Sequence, residues 1–136
     1  MVQANQICET VLYAQDLDAA VKFYTEGFGL KLLSQNELMV VLGIGKHYLL
    51  LFDPRKSSLI GREVPSHGTS GEGHIAFVAD ESELPAWRNR LTSAGIEIES
   101  EVTWDGGKRG MSIYVRDPAG NSVELAPPSL WFYLEE

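Results

Sequence analysis

The chain has 136 residues, 44% of them hydrophobic, a size and composition that fit one soluble globular unit. A net charge of −8 argues against nucleic acid or an anionic membrane as partner, since both demand clustered Lys and Arg. The single cysteine excludes an intrachain disulfide, MVQANQ lacks a signal-peptide pattern, and no apolar run nears the ~18 residues of a membrane span, so the expected location is the cytoplasm.

Ile7 to Ala14 predicts a first strand, with Cys8 as a small core residue. Asp16 is placed to cap a helix from Leu17, along which Ala20, Val21, Tyr24 and Phe28 recur at helical spacing before Gly27 and Gly29 end it. Lys31 to Ser34 predicts a second strand, and Leu38 to Ile44 with Tyr48 to Phe52 flank a Gly45-Lys46 hairpin turn. Asp53 to Gly73, rich in Ser, Gly, Pro and charge, is the expected linker. His74 to Ala79 starts again as a strand. A helix over 82–94 follows, with Pro85 in its first turn, Leu84, Trp87 and Leu91 as its apolar stripe and Gly95 at its end. Ile96 to Val102 is the next strand. The Trp104 to Gly110 loop, with Lys108 and Arg109, reads as surface. Ser112 to Arg116 and Ser122 to Ala126 surround the turn Asp117-Pro118-Ala119-Gly120-Asn121. The tail, PPSLWFYLEE, is expected to pack on the body or on a partner subunit.

The second half repeats the first. Asp16 and Asp80 lie 64 residues apart (80−16), as do Phe23 and Trp87 (87−23). Each copy reads strand, helix, then three strands. The expected fold class is α+β: two βαβββ modules, residues 5–53 and 73–127 with linker 54–72, forming a curved mixed sheet or open barrel around a cleft. Within each module the first two strands are expected to run parallel with the helix between them, followed by a meander. All 136 residues are read as a single domain.

Strand alternation groups Glu9 with Val11 and Tyr13, His74 with Ala76 and Val78, and Glu124 with Ser122, each set facing the expected cleft. Two carboxylates converging with an imidazole would repel unless a cation lay between them. A divalent ion there leaves open positions for water or substrate, and the absence of thiolate argues against a structural zinc site. Taken singly, each residue has a structural alternative: Glu9 as an edge-strand carboxylate, His74 as a core histidine on a backbone carbonyl, Glu124 as the partner of Arg116. Ser112 and Tyr114 are candidates to bond a substrate oxygen, with Val11, Tyr13, Leu50 and Trp104 as an apolar wall. His47 and His67 are expected at the surface, outside the site.

The segments DLDAAVKFYTEGFGL, GHIAF and VRDPAGNSVEL, in this βαβββ pair, resemble the vicinal oxygen chelate superfamily of glyoxalase I, extradiol dioxygenases, fosfomycin-resistance transferases and bleomycin-binding proteins. The resemblance spans Ile7 to about Pro127. It implies metal ligands at Glu9, His74 and Glu124, with Glu9 standing where many relatives carry His. The fourth carboxylate of glyoxalase I has no counterpart in Tyr48-Leu49-Leu50-Leu51-Phe52. The resemblance also implies a homodimer in which the cleft can be completed by the partner chain.

Two functions follow as expectations. The first is a metal-dependent enzyme, of lyase, isomerase or dioxygenase type, chelating a small oxygenated substrate through Mn, Fe, Ni or Zn, with Glu9 or Glu124 moving a proton. Phosphonate modification ranks below it, because APPSLWFYLEE after Glu124 holds no Lys or Arg clamp. The second is a protein that sequesters a small cationic toxin or antibiotic without chemistry.

Overall fold

Runs of Val, Ile, Leu and Tyr build two four-stranded mixed sheets, one in each of the units Met1–Ser70 and Gly71–Glu136. The computed structural model describes residues 2–131. In the first unit β1 (Glu9–Tyr13) leads into α1 (Leu17–Lys22), followed by β2 (Lys31–Gln35), β3 (Met39–Ile44), β4 (His47–Phe52) and one helical turn, α2 (Pro54–Ser57). The second unit runs β5 (His74–Val78), α3 (Leu84–Ser93), β6 (Ile98–Thr103), β7 (Met111–Arg116) and β8 (Ser122–Ala126). Neither four-stranded sheet closes into a barrel.

The strand order is β1-β4-β3-β2 in one sheet and β5-β8-β7-β6 in the other. The first strand of each unit therefore pairs in parallel with the last, not with the second as a simple βαβ unit would have it. Hydrophobicity accounts for this order. HYLLLF and SVELA are the most continuously buried strands, and each takes a central place with neighbours on both sides. The β2 strand, KLLSQ, is exposed throughout and lies at an edge.

Local chemistry explains the helix ends. The Asp16 carboxylate accepts from the Ala19 amide at 3.0 Å, satisfying an orphan donor at the start of α1. After Lys22 the helix widens into a π-helical segment, Phe23–Gly27, where the Thr25 hydroxyl donates to the Val21 carbonyl at 2.7 Å, a back-bond of the kind that bends helices. Tyr24 is fully buried there, against Phe23 and Phe28. The repeat is imperfect at the second aspartate: Asp80 precedes a 3-10 turn, Glu81–Glu83, and its side chain makes no cap bond.

Two further expectations need correction, and a third is met in part. Cys8 is exposed rather than buried, because pairing begins only at Glu9 and leaves no neighbouring strand to cover the residue before it. His67 is half-buried: the Tyr13 hydroxyl bonds its Nδ1 at 2.8 Å, and its ring meets Phe52 edge-on at 4.5 Å, so part of the linker is fastened to its own unit. The tail is packed at its start, with Pro127 and Leu130 buried, but Trp131 is exposed, and 132–136 lie outside the described residues. Gly110 makes the packing possible. It has φ 85°, and a Cβ there would stand 2.7 Å from that of Pro127.

The turn between β7 and β8 fixes the second sheet. Asp117 Oδ1 accepts from the Ala119 and Asn121 amides, each at 2.9 Å, and Oδ2 accepts from Asn121 Nδ2 at 2.9 Å. Asn121 Oδ1 in turn accepts from the Gly73 amide at 2.7 Å, and the Ser122 amide donates to the Gly73 carbonyl at 2.9 Å. Both Asp117 and Asn121 are buried. Removing two side-chain bonds at a buried site costs about 2 kcal/mol. Asn121→Ala should therefore lower stability by about that much in urea unfolding of the whole chain, and it should loosen amide protection in β5 more than in β6.

Candidate functional site

A glutamate in the middle of SVELA is the anomaly from which the site is built. Glu124 lies on the central strand β8, only 4% exposed, between Ala76 on β5 and Tyr114 on β7. A carboxylate so placed is costly unless bonded. Its Oε2 accepts from the Ser112 hydroxyl at 2.5 Å, and its Oε1 stands 3.2 Å from Nε2 of His74. Ser112 itself is fully buried and accepts from the indole Nε1–H of Trp104 at 2.8 Å. The His74 ring stacks on Tyr114, with centroids 6.4 Å apart and 24° between planes.

Register produces this meeting. His74 pairs with Ser122 and Ala76 with Glu124, so His74 sits diagonally across from Glu124 on the same sheet face. The His74 Nδ1 lies 3.1 Å from the Ser122 carbonyl, which can only accept, so that nitrogen carries the hydrogen. In the neutral ring Nε2 then holds a lone pair aimed at a carboxylate oxygen. Two acceptors 3.2 Å apart call for a proton or a cation between them.

The donor chemistry fits a divalent ion. Two donors at about 2.1 Å from one ion, at right angles, stand about 3.0 Å apart, close to the observed spacing. Carbonyl support of the other ring nitrogen is the usual arrangement for a ligating histidine. His74, its side chain 52% exposed, leaves this pair accessible from solvent. Among the described residues, neither unit by itself gathers three His, Cys, Asp or Glu side chains into a metal-binding group.

Tyr114, half-buried, stands opposite Glu124 in the strand register and two residues from Ser112 on the same face of β7. Burial is the main cause that raises its phenol above the ordinary value, and the Glu124 carboxylate raises it further by charge and hydrogen bonding. Arg116 does not pair with Glu124. Its guanidinium is bound to Glu99 at 2.5 Å and to Glu72 at 3.3 Å.

The remaining candidates belong to the first unit. Glu9 opens β1, exposed, opposite Tyr48. Val11 and Tyr13 are half-buried on the same strand, with the Tyr13 hydroxyl engaged by His67. Leu50 is buried and pairs with Val11 and Val41. By register Leu50 occupies in the first sheet the place that Glu124 occupies in the second. His74, Ser112, Tyr114, Trp104 and Glu124 thus come together. Trp104 is present as a hydrogen-bond donor, not merely as the apolar surface expected of it.

The model of the Glyoxalase/Bleomycin resistance protein/Dioxygenase superfamily matches residues 6–125. A lactoylglutathione lyase from Agrobacterium tumefaciens is 42% identical, and its crystal structure superposes with TM-score 0.86 over 94% of this chain and 97% of its own. Metallothiol transferase FosB of Shouchella clausii is 31% identical over 121 residues, which are 89% of this chain and 79% of that one. The fosfomycin resistance protein FosX of Listeria monocytogenes, complexed with Mn(II) and 1S,2S-dihydroxypropylphosphonic acid, has TM-score 0.69 over 91% of this chain and 90% of its own. At 21% identity that likeness shows the fold alone.

In chelator-treated protein Tyr114 should ionise above the usual tyrosine range, and Glu124→Gln should bring it down, as read by ring-carbon NMR across an alkaline titration. A raised phenol binds its proton more tightly in the folded state than in the unfolded one. Its contribution to stability is therefore complete below the unfolded-state value and is lost as pH rises through the folded-state value.

Proposed function

The chain belongs to the glyoxalase/bleomycin resistance protein/dioxygenase superfamily, and from that premise we propose a divalent-metal-dependent enzyme of lyase or isomerase type acting on a small oxygenated substrate. The observation that carries this reading is the 3.2 Å approach of His74 Nε2 to Glu124 Oε1, with the other ring nitrogen committed to a carbonyl. Glu9, His74 and Glu124 would hold the ion, with Mn, Fe, Ni or Zn as candidates. When bound, such an ion supplies Lewis-acid polarisation of adjacent substrate oxygens.

The chain's own residues supply the rest. Glu124 has one oxygen bonded by Ser112 and the other directed at the place beside His74 where the ion would sit. Glu9 is therefore the carboxylate proposed to take a proton from a carbon beside a substrate carbonyl and return it to the neighbouring carbon. The Tyr114 hydroxyl, kept protonated by burial and by Glu124, would donate to a substrate oxygen. Val11 and Leu50 would offer apolar surface, and Tyr13 and Trp104 would border it. Likeness to a lactoylglutathione lyase at 42% identity supports the lyase type. Leu50, standing at the register position of a carboxylate, argues against a four-residue ligand set. A homodimer belongs to the same proposal, supported by the resemblance and by the exposed Trp131.

Reconstitution with Mn, Fe(II), Ni or Zn, followed by dialysis and elemental analysis, should leave about one ion per chain. His74→Ala and Glu124→Gln should each weaken affinity by at least about tenfold, and Glu9→Gln should abolish proton exchange at the substrate carbon while protein folding is unchanged. A chain that takes up no ion under these conditions, and instead binds planar cationic drugs in proportion to protein, would replace this reading with sequestration.

A further inference from the structure

We infer that Trp104 is a positioning residue for the candidate metal centre, acting through Ser112 to decide which oxygen of Glu124 is left for an ion. The inference rests on the metal-site reading above.

Hydrogen bookkeeping makes the case. An indole N–H can only donate, so at 2.8 Å the Ser112 oxygen must be the acceptor. The hydroxyl's one hydrogen is then directed elsewhere, and Glu124 Oε2 at 2.5 Å receives it. Tyr114 stands beside Ser112 on the same face of β7, opposite Glu124, and offers the hydroxyl an alternative direction. With the indole in place, the serine is held as donor to the carboxylate. Oε2 is thereby pinned, and Oε1 alone faces His74. Without it, the hydroxyl can turn to Tyr114, and the two glutamate oxygens exchange places by rotation about a soft terminal torsion.

The loop is built to hold the indole still. The Trp104 amide donates to the Gly110 carbonyl at 2.9 Å, and its own carbonyl accepts from the Gly107 amide at 2.9 Å. The far side of the loop is tied to the start of the tail, where the Ser129 hydroxyl donates to the Arg109 carbonyl at 3.1 Å. Gly110 packs directly on Pro127. A loop with two such anchors can orient a buried serine from one side while the central strand presents Glu124 from the other.

The test is a double-mutant cycle on the full chain, read as Mn(II) affinity by the paramagnetic resonance of the free aqua ion. Trp104→Phe should weaken binding about tenfold, the usual scale for a group that orients a ligand. Ser112→Ala should weaken it to a similar extent. In the Ser112→Ala background, Trp104→Phe should add less than about twofold, because its effect passes through the missing hydroxyl. Equal losses in both backgrounds would make Trp104 a packing residue and overturn the inference, as would no loss in either. Wild-type protein that binds neither Mn(II) nor, on reconstitution and dialysis, Fe(II), Ni or Zn would overturn this inference and the metal-site reading together, whereas wild-type binding with an indifferent Trp104→Phe sinks this inference alone. If Trp104→Phe does not fold, benzothienylalanine at position 104 keeps the bicyclic shape, drops the N–H, and should give the same tenfold loss.

Discussion

Asn121 reaches back across 48 residues to accept from the Gly73 amide while its own amide and side chain are held by Asp117. That clasp sets where β5 begins against β8. The Ser122 amide, bonded to the Gly73 carbonyl, continues it into the strand ladder. From there the register runs without slip from His74 opposite Ser122 to Val78 opposite Ala126. A shift by one residue would turn His74 to the opposite face and leave Glu124 without it. The site is thus a consequence of a turn that contains none of its members.

Within that register, the polar chain from Trp104 through Ser112 to Glu124 solves a problem the core creates. The central strand SVELA is buried along nearly its whole length, and a glutamate there must find partners or lose its charge. Ser112 and Tyr114, alternating on the adjacent strand, provide them from one side, and His74 does so from the other. Each group added to satisfy the carboxylate also restricts its motion. Burial cost and geometric definition have the same origin here.

Much of this was legible in the residues. Asp-Pro-x-Gly-Asn before a strand marks the turn, because Asp and Asn side chains mimic backbone partners and Gly accepts the left-handed conformation, as at Gly120 with φ 89°. Alternation correctly grouped Ser112 with Tyr114 and separated Glu124 from Val123 and Leu125. Strand order was not legible, because local pattern says which segments are strands but not which of them pairs with β1; that depends on which strand is apolar enough for the centre. Nor was the exposure of Cys8, which turns on where pairing stops. The placement of His67 and the donor role of Trp104, which the residues suggested only as apolar wall, were not legible for a shared reason: each acts through a hydrogen bond to a residue on another element, and spacing along the chain carries no trace of such a bond.

The two sheets share one strand order but not one inventory. Where the second has Glu124, Tyr114 and Ser112, register puts Leu50, Val41 and Met39 in the first. A twofold architecture has thereby become a division of labour. Substitutions at Leu50, Val41 and Met39 are judged by volume and shape, whereas those at Glu124, Tyr114 and Ser112 are judged by how many protons each atom gives or takes.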